Sequence, residues 1–142
     1  MNNILFFLTP KAMCAYLHDD YTIRQALERM ESAGYAALPI LNKNGEYRGT
    51  LTEGDLLWAI KNLEIITLRD MEDHGIMEIS HRRDNTPVSV SNKVEDLMEK
   101  AVAQNFVPVV DDRNTFIGII TRKAIMQYFM NRYMTPQTEA VK

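Results

Sequence analysis

The chain has 142 residues, with 16 Lys and Arg against 19 Asp and Glu for a formal charge of −3, and 46% of its residues are apolar. A chain of this length buries roughly 68–70% of its unfolded surface, so one compact domain forms without disulfides or a structural metal. The near-neutral charge speaks against a dedicated nucleic-acid binder, the single cysteine, Cys14, excludes an intrachain disulfide and a cysteine-rich zinc cluster, and no apolar run approaches the roughly 18 residues of a membrane span.

Residues 4–8 are apolar, but no basic residue precedes them and the run is too short for a signal peptide, so a cytoplasmic location is expected. Tyr16-Leu17-His18 reads as an extended lead-in. Ile23, Ala26, Leu27 and Met30 recur at i, i+3, i+4 and i+7, which predicts a helix beginning near Thr22, with Gly34 as its stop. Residues 37–41 and 47–51 read as two strands joined at Asn44-Gly45 into a hairpin. A helix from Glu53 carries Leu56, Leu57, Trp58 and Ile60 as far as Lys61-Asn62. The stretch 63–83 is mixed, with a short helix expected around residues 68–72, and closes on the only dense basic cluster, His81-Arg82-Arg83. A second extended lead-in, Pro87-Val88-Ser89-Val90, opens another helix and hairpin with its turn at residues 111–114; a last helix runs from Arg122 to about Met134, before a polar tail, 135–142, expected to fray. The nine Met residues lie mostly at helical spacing and read as adaptable core filler.

The sequence repeats itself. At an offset of 69, Leu38-Pro39-Ile40-Leu41 falls on Val107-Pro108-Val109-Val110, Tyr47 on Phe116, Gly49 on Gly118 and Thr52 on Thr121. Upstream, a two-residue gap brings Ile23, Ala26, Leu27 and Gly34-Tyr35 over Val94, Leu97, Met98 and Asn105-Phe106. The chain is two copies of one β-α-β-β-α unit, spanning 9–62 and 79–134 with a linker at 63–78. A unit of about 60 residues has a marginal core alone, so the copies are expected to pack on each other.

The paired segments "LPILNKNGEYRGTLTEGDLL" and "VPVVDDRNTFIGIITRKAIM" resemble the CBS-domain pair, or Bateman module: an apolar-Pro-apolar strand, a turn, a Gly, two apolar residues, a Thr, two variable positions and an Asp. The resemblance implies an α/β fold, a tandem CBS-domain repeat with pseudo-two-fold symmetry, here expected as a stand-alone module. It implies a regulatory protein rather than an enzyme, a homodimer that binds an adenosine-containing ligand between its copies and reports to an effector protein. AMP, ADP, ATP, S-adenosylmethionine and cyclic dinucleotides all fit, and no cofactor, metal, nucleic acid or membrane is implied. Two clefts follow from it. Cleft A joins Thr52 and Asp55 to Arg82, Arg83, Thr86, Pro87, Asn105, Phe106, Val107 and Pro108; cleft B joins Thr121, Arg122 and Lys123 to Ala15, Tyr16, Tyr35, Ala36, Ala37, Leu38 and Pro39.

Each role has a plainer competitor. Asp55 accepts from ribose hydroxyls in the family pattern, whereas the residues themselves read equally as a Thr52 N-cap with Asp55 three positions on. In copy 2, Ala124 stands where that Asp would be, and Arg122 and Lys123 oppose the helix dipole unless an anion binds there. Tyr16, Tyr35 and Phe106 suit stacking on a purine or burial at strand entrances, and Arg82-Arg83 suits phosphate or solvent. Pro39 and Pro108 are expected where a strand edge faces a cleft, because proline cannot donate to a ladder. His18, His74 and His81 have no repeat-matched partners and Cys14 no evident base, so neither a metal set nor a nucleophilic pair can be read.

Overall fold

The computed structural model describes residues 3–81 and 85–134. After a 3-10 turn at Ile4–Phe7, β1 (Thr9–Pro10) precedes a first unit of β2 (Leu17–His18), α1 (Ile23–Ala33), β3 (Ala37–Leu41), β4 (Tyr47–Thr52) and α2 (Glu53–Asn62). The second unit is β5 (Val88–Ser89), α3 (Val94–Ala103), β6 (Phe106–Val110), β7 (Phe116–Thr121) and α4 (Arg122–Tyr133). The lead-ins β2 and β5 pair parallel with β3 and β6, and each hairpin is antiparallel. Two sheets result, in the orders β2-β3-β4 and β1-β7-β6-β5.

The helix ends are written locally. Thr22 accepts from the Gln25 N–H while Gln25 accepts from the Thr22 N–H, at 3.2 and 2.8 Å, and Gly34 closes α1 with φ +76°, a conformation glycine adopts without cost. The turns repeat as faithfully. Asn42 Oδ1 accepts from the backbone of Asn44 and Glu46, and Asp111 Oδ1 from that of Arg113 and Thr115, all within 2.8–2.9 Å.

The units meet through these hairpins. Tyr47 N–H donates to Asn114 O (3.2 Å) and Phe116 N–H to Gly45 O (2.9 Å). Each bond is the other's image under the 69-residue offset, so a pseudo-two-fold axis passes between them. The Tyr47 and Phe116 rings stack across it at 6.5 Å, in a cluster with Leu41 and Val110 that joins the two separate cores. Register revises one sequence pairing: Ala37 lies opposite Thr52 and Phe106 opposite Thr121. Ala37, not Tyr35, is therefore the counterpart of Phe106; the two-residue gap falls at the end of α1 and in its link to β3.

Long-range packing reassigns two segments. β1 pairs antiparallel with β7, and Ile4 and Phe7 enter the core of the second unit beside Val88, Leu97 and Val107. Ile65, Met71 and Ile76 pack into the first unit's core, and Gly75 bridges to Thr22. The helix expected around residues 68–72 is a single 3-10 turn, Asp70–Asp73, set by Asp70 accepting from the Ile66 and Thr67 N–H groups. The methionines are not generally core filler. Met30 and Met71 are buried, but Met13, Met77 and Met134 are exposed, and so are Met126 and Met130, because α4 buries only Ile125 fully. The tail 135–142 lies outside the described residues.

β1 sits so close to β7 that a Cβ on Gly118 would lie 2.2 Å from Thr9 O, at a φ of +155° that side chains avoid. Gly118→Ala is expected to lower unfolding free energy in urea by about 2–4 kcal/mol, whereas Gly54→Ala, where a Cβ meets only Thr52 Oγ1 at 3.6 Å, should be neutral or stabilising by up to about 1 kcal/mol. Backbone donors from Thr115 and then Arg113 hold the Asp111 carboxyl below its ordinary range. A depressed carboxyl contributes stability above the unfolded pKa of about 3.9 and loses it as pH falls through the lower folded value. Asp111→Asn keeps the acceptor, as Asn42 does in the first unit, so wild type should lose more stability than this variant between about pH 5 and pH 2, measured by chemical denaturation.

Candidate functional site

A cavity of about 220 Å³ opens on the seam where the start of β3 faces the start of β6 and the end of β7. One wall is Ala15 with Tyr35, Ala36, Ala37, Leu38 and Pro39; the other is Asn105, Phe106, Ile119 and Thr121. The N-terminal segment adds Thr9, Met13 and Cys14 to the lining. The local reasons are simple. β2 covers only Ile40 and Leu41 of β3, so the flank of Pro39 opposite β4 has no ladder partner for its missing N–H to spoil. Ala36 and Ala37 carry no bulk, which leaves the backbone of this strand entrance open to the cavity. Each strand entrance is held by its hairpin's helix: Glu53 N–H donates to Ala36 O (2.9 Å) and Arg122 N–H to Asn105 O (3.1 Å).

The three aromatics separate. Tyr35 is 62% exposed at the cavity mouth, Phe106 is 6% exposed and forms its wall. Tyr16 lies outside the cavity, its ring against His18 and under the Lys11 ammonium, 5.4 Å from the ring centroid. Thr121 caps α4 by accepting from Ala124 N–H at 3.0 Å. Arg122 turns back instead of outward. Its Nε donates to Ala101 O (3.0 Å) and Nη2 to Val102 O (3.4 Å), on the last carbonyls of α3, where a cation suits the negative helix end. That contact relieves the conflict of placing Arg at the positive end of α4. Lys123 is exposed.

Of the residues grouped as cleft A, Thr52 and Asp55 stand at the start of α2. Thr52 and Asp55 form a full capping box: Thr52 N–H donates to Asp55 Oδ2 (2.9 Å) and Asp55 N–H to Thr52 Oγ1 (3.0 Å), with Asp55 only 1% exposed. Asp55 lines a hollow of about 270 Å³ with Trp58, Asn62, Glu78 and Ser80, while Asn105 and Phe106 line the seam cavity. Thr86 hydrogen-bonds Gln104 and Lys100; Pro87 is half-buried, and Val107 and Pro108 are buried. Arg82 and Arg83 lie outside the described residues. Sequence reasoning missed Thr9, Met13, Cys14 and Ile119. Pairing of β1 with β7 brings the first three in, and no local pattern announces it. The Cys14 thiol is pushed up by burial, eased in part by the backbone of Ile119, and its Sγ donates towards Thr9 O and Pro10 O, so it is no ready thiolate. Among the described residues, no group of three or more His, Cys, Asp or Glu is placed to hold a metal ion, and no helix is long and apolar enough to cross a membrane.

A tandem repeat with a seam cavity of this kind defines a paired α/β binding module. The CBS domain family model matches residues 10–62 and 76–131, and the chain belongs to that family. Among solved structures, CbpB in complex with c-di-AMP is 25% identical with a TM-score of 0.83, covering 97% of this chain and 90% of that one. A CBS domain protein from Streptococcus pneumoniae is 27% identical with a TM-score of 0.80, covering 92% and 88%. An uncharacterised protein of Methanopyrus kandleri is 26% identical over 103 residues, 70% of this chain and 49% of its own length. The chain spans about half the length of the first curated relatives it matches.

The Arg122 contact is open to direct test. Without any ligand, Arg122→Ala should cost about 1 kcal/mol by leaving the α3 carbonyls unserved; an unchanged urea midpoint would show that the guanidinium does not serve α3.

Proposed function

We propose that this chain is a regulatory, non-catalytic nucleotide sensor, two CBS motifs at 9–62 and 79–134, that takes an adenine nucleotide into the seam cavity and signals to an effector protein. The observation that carries the reading is the cavity itself: small residues, Ala36 and Ala37, expose backbone on one side, and a helix N-terminus at Thr121 faces it from the other. Backbone donors and acceptors read a purine edge, Tyr35 stacks on its face, and the α4 N-terminus with Lys123 favours phosphate. At about 220 Å³ the cavity suits one nucleoside, below the 300–1,000 Å³ of a drug-sized pocket, so phosphates extend to the mouth. A cyclic dinucleotide is the favoured ligand, supported by the c-di-AMP complex of the CbpB relative.

The sensor works by population shift: a ligand that prefers one packing of the two units biases what a partner meets. It does so in the cytoplasm, as a homodimer. A second reading, an adaptor that dimerises without ligand, draws on the exposed Met126, Phe129, Met130 and Tyr133, one apolar stripe on α4. Thermal denaturation with cyclic di-AMP, AMP and ATP separates them. Ligand at 100 times its Kd adds about 2.7 kcal/mol, and Ala36→Trp, filling the cavity mouth, should abolish the response to cyclic di-AMP while leaving the unliganded Tm within a few degrees. No response to any of the three favours the adaptor.

A further inference from the structure

A second concavity lies behind the wall of the first. Cys14 lines both, and on its far side an open groove of about 690 Å³ is walled by Lys11, Tyr16, His18, Tyr21 and Arg29. The chemistry differs from that of the seam. Three rings stand in an edge-to-face row, Tyr16 to His18 at 5.8 Å and His18 to Tyr21 at 5.1 Å. Lys11 Nζ stands over the Tyr16 end, and Arg29 reaches the groove from α1. No carboxylate lines it among the described residues. Arg24, five residues earlier on the same helix, pairs with both Glu28 and Glu72, whereas neither Lys11 nor Arg29 has an ion-pair partner among the described residues. Two cations without a carboxylate partner among the described residues, one of them already resting on the Tyr16 ring, match phosphate oxygens, and the ring row matches a planar base. The size is that of a small-molecule site, and a net charge of −3 disfavours a nucleic-acid polymer.

We propose that this groove is a second nucleotide site, separate from the seam cavity, which takes a nucleoside polyphosphate with its phosphates on Lys11 and Arg29 and its base on the Tyr16, His18 and Tyr21 rings. Titration of the full chain with ATP, inorganic triphosphate and adenosine, followed by NMR, reads the two sites separately. The His18 and Tyr21 ring resonances should shift with ATP, with weaker binding of triphosphate and weaker still of adenosine. Lys11→Gln with Arg29→Gln should raise the Kd at these rings tenfold or more and leave any shifts at Ala36 and Ala37 in place; Lys11→Arg with Arg29→Lys should hold it within threefold. In Ala36→Trp the ring shifts should persist, so a failed seam site and a failed groove give different spectra. Silent His18 and Tyr21 rings at millimolar ATP, or a Kd indifferent to the double Gln substitution, would overturn the proposal.

Discussion

Two backbone hydrogen bonds that mirror each other, Tyr47 N–H to Asn114 O and Phe116 N–H to Gly45 O, set the geometry on which everything else depends. They form because each hairpin turn ends on a residue with positive φ, Gly45 at +83° and Asn114 at +64°, which aims one carbonyl across the axis. A Gly and an Asn tolerate that conformation where other residues resist it. The stacked Tyr47 and Phe116 rings contribute about 0.5–1.5 kcal/mol beyond their buried area, and the Tyr47 hydroxyl donates to Asn85 O just ahead of the second lead-in. With the hairpins pinned head to head, the entrances of β3 and β6 lie along one seam.

The N-terminal segment turns this symmetric frame into an asymmetric site. β1 packs on the bare backbone of Gly118, then feeds Met13, Cys14 and Ala15 into the lining of the seam cavity before the chain starts its own first unit. Residues 11–18 therefore separate two concavities of unlike chemistry, one apolar with exposed backbone, the other basic and aromatic.

What local chemistry dictates was legible. Thr22, Gly34, Thr52 and Thr121 mark helix ends through bonds spanning three or four residues, and Asn44-Gly45 marks a turn, so strands and helices fall within a residue or two of where the pattern puts them. The repeat foretold two units in contact. What needed tertiary pairing was not legible: β1 joining β7 across more than a hundred residues, Ile65 and Met71 closing the first core, and the gap that made Tyr35 seem the match of Phe106. Side-chain direction was hidden for Arg122 and legible as one of two readings for Asp55. Arg122 turns to the α3 carbonyls and Asp55 to its own cap, because an unserved helix end nearby competes for each.

The central claim is that the seam between the repeats receives an adenine. The most direct measurement is a crystal structure of the chain grown with saturating cyclic di-AMP. The account predicts density for one adenine against the Ala36 and Ala37 backbone, with phosphate at the Thr121 end of α4. A seam without nucleotide density in a crystal whose lattice leaves the cavity open would contradict it.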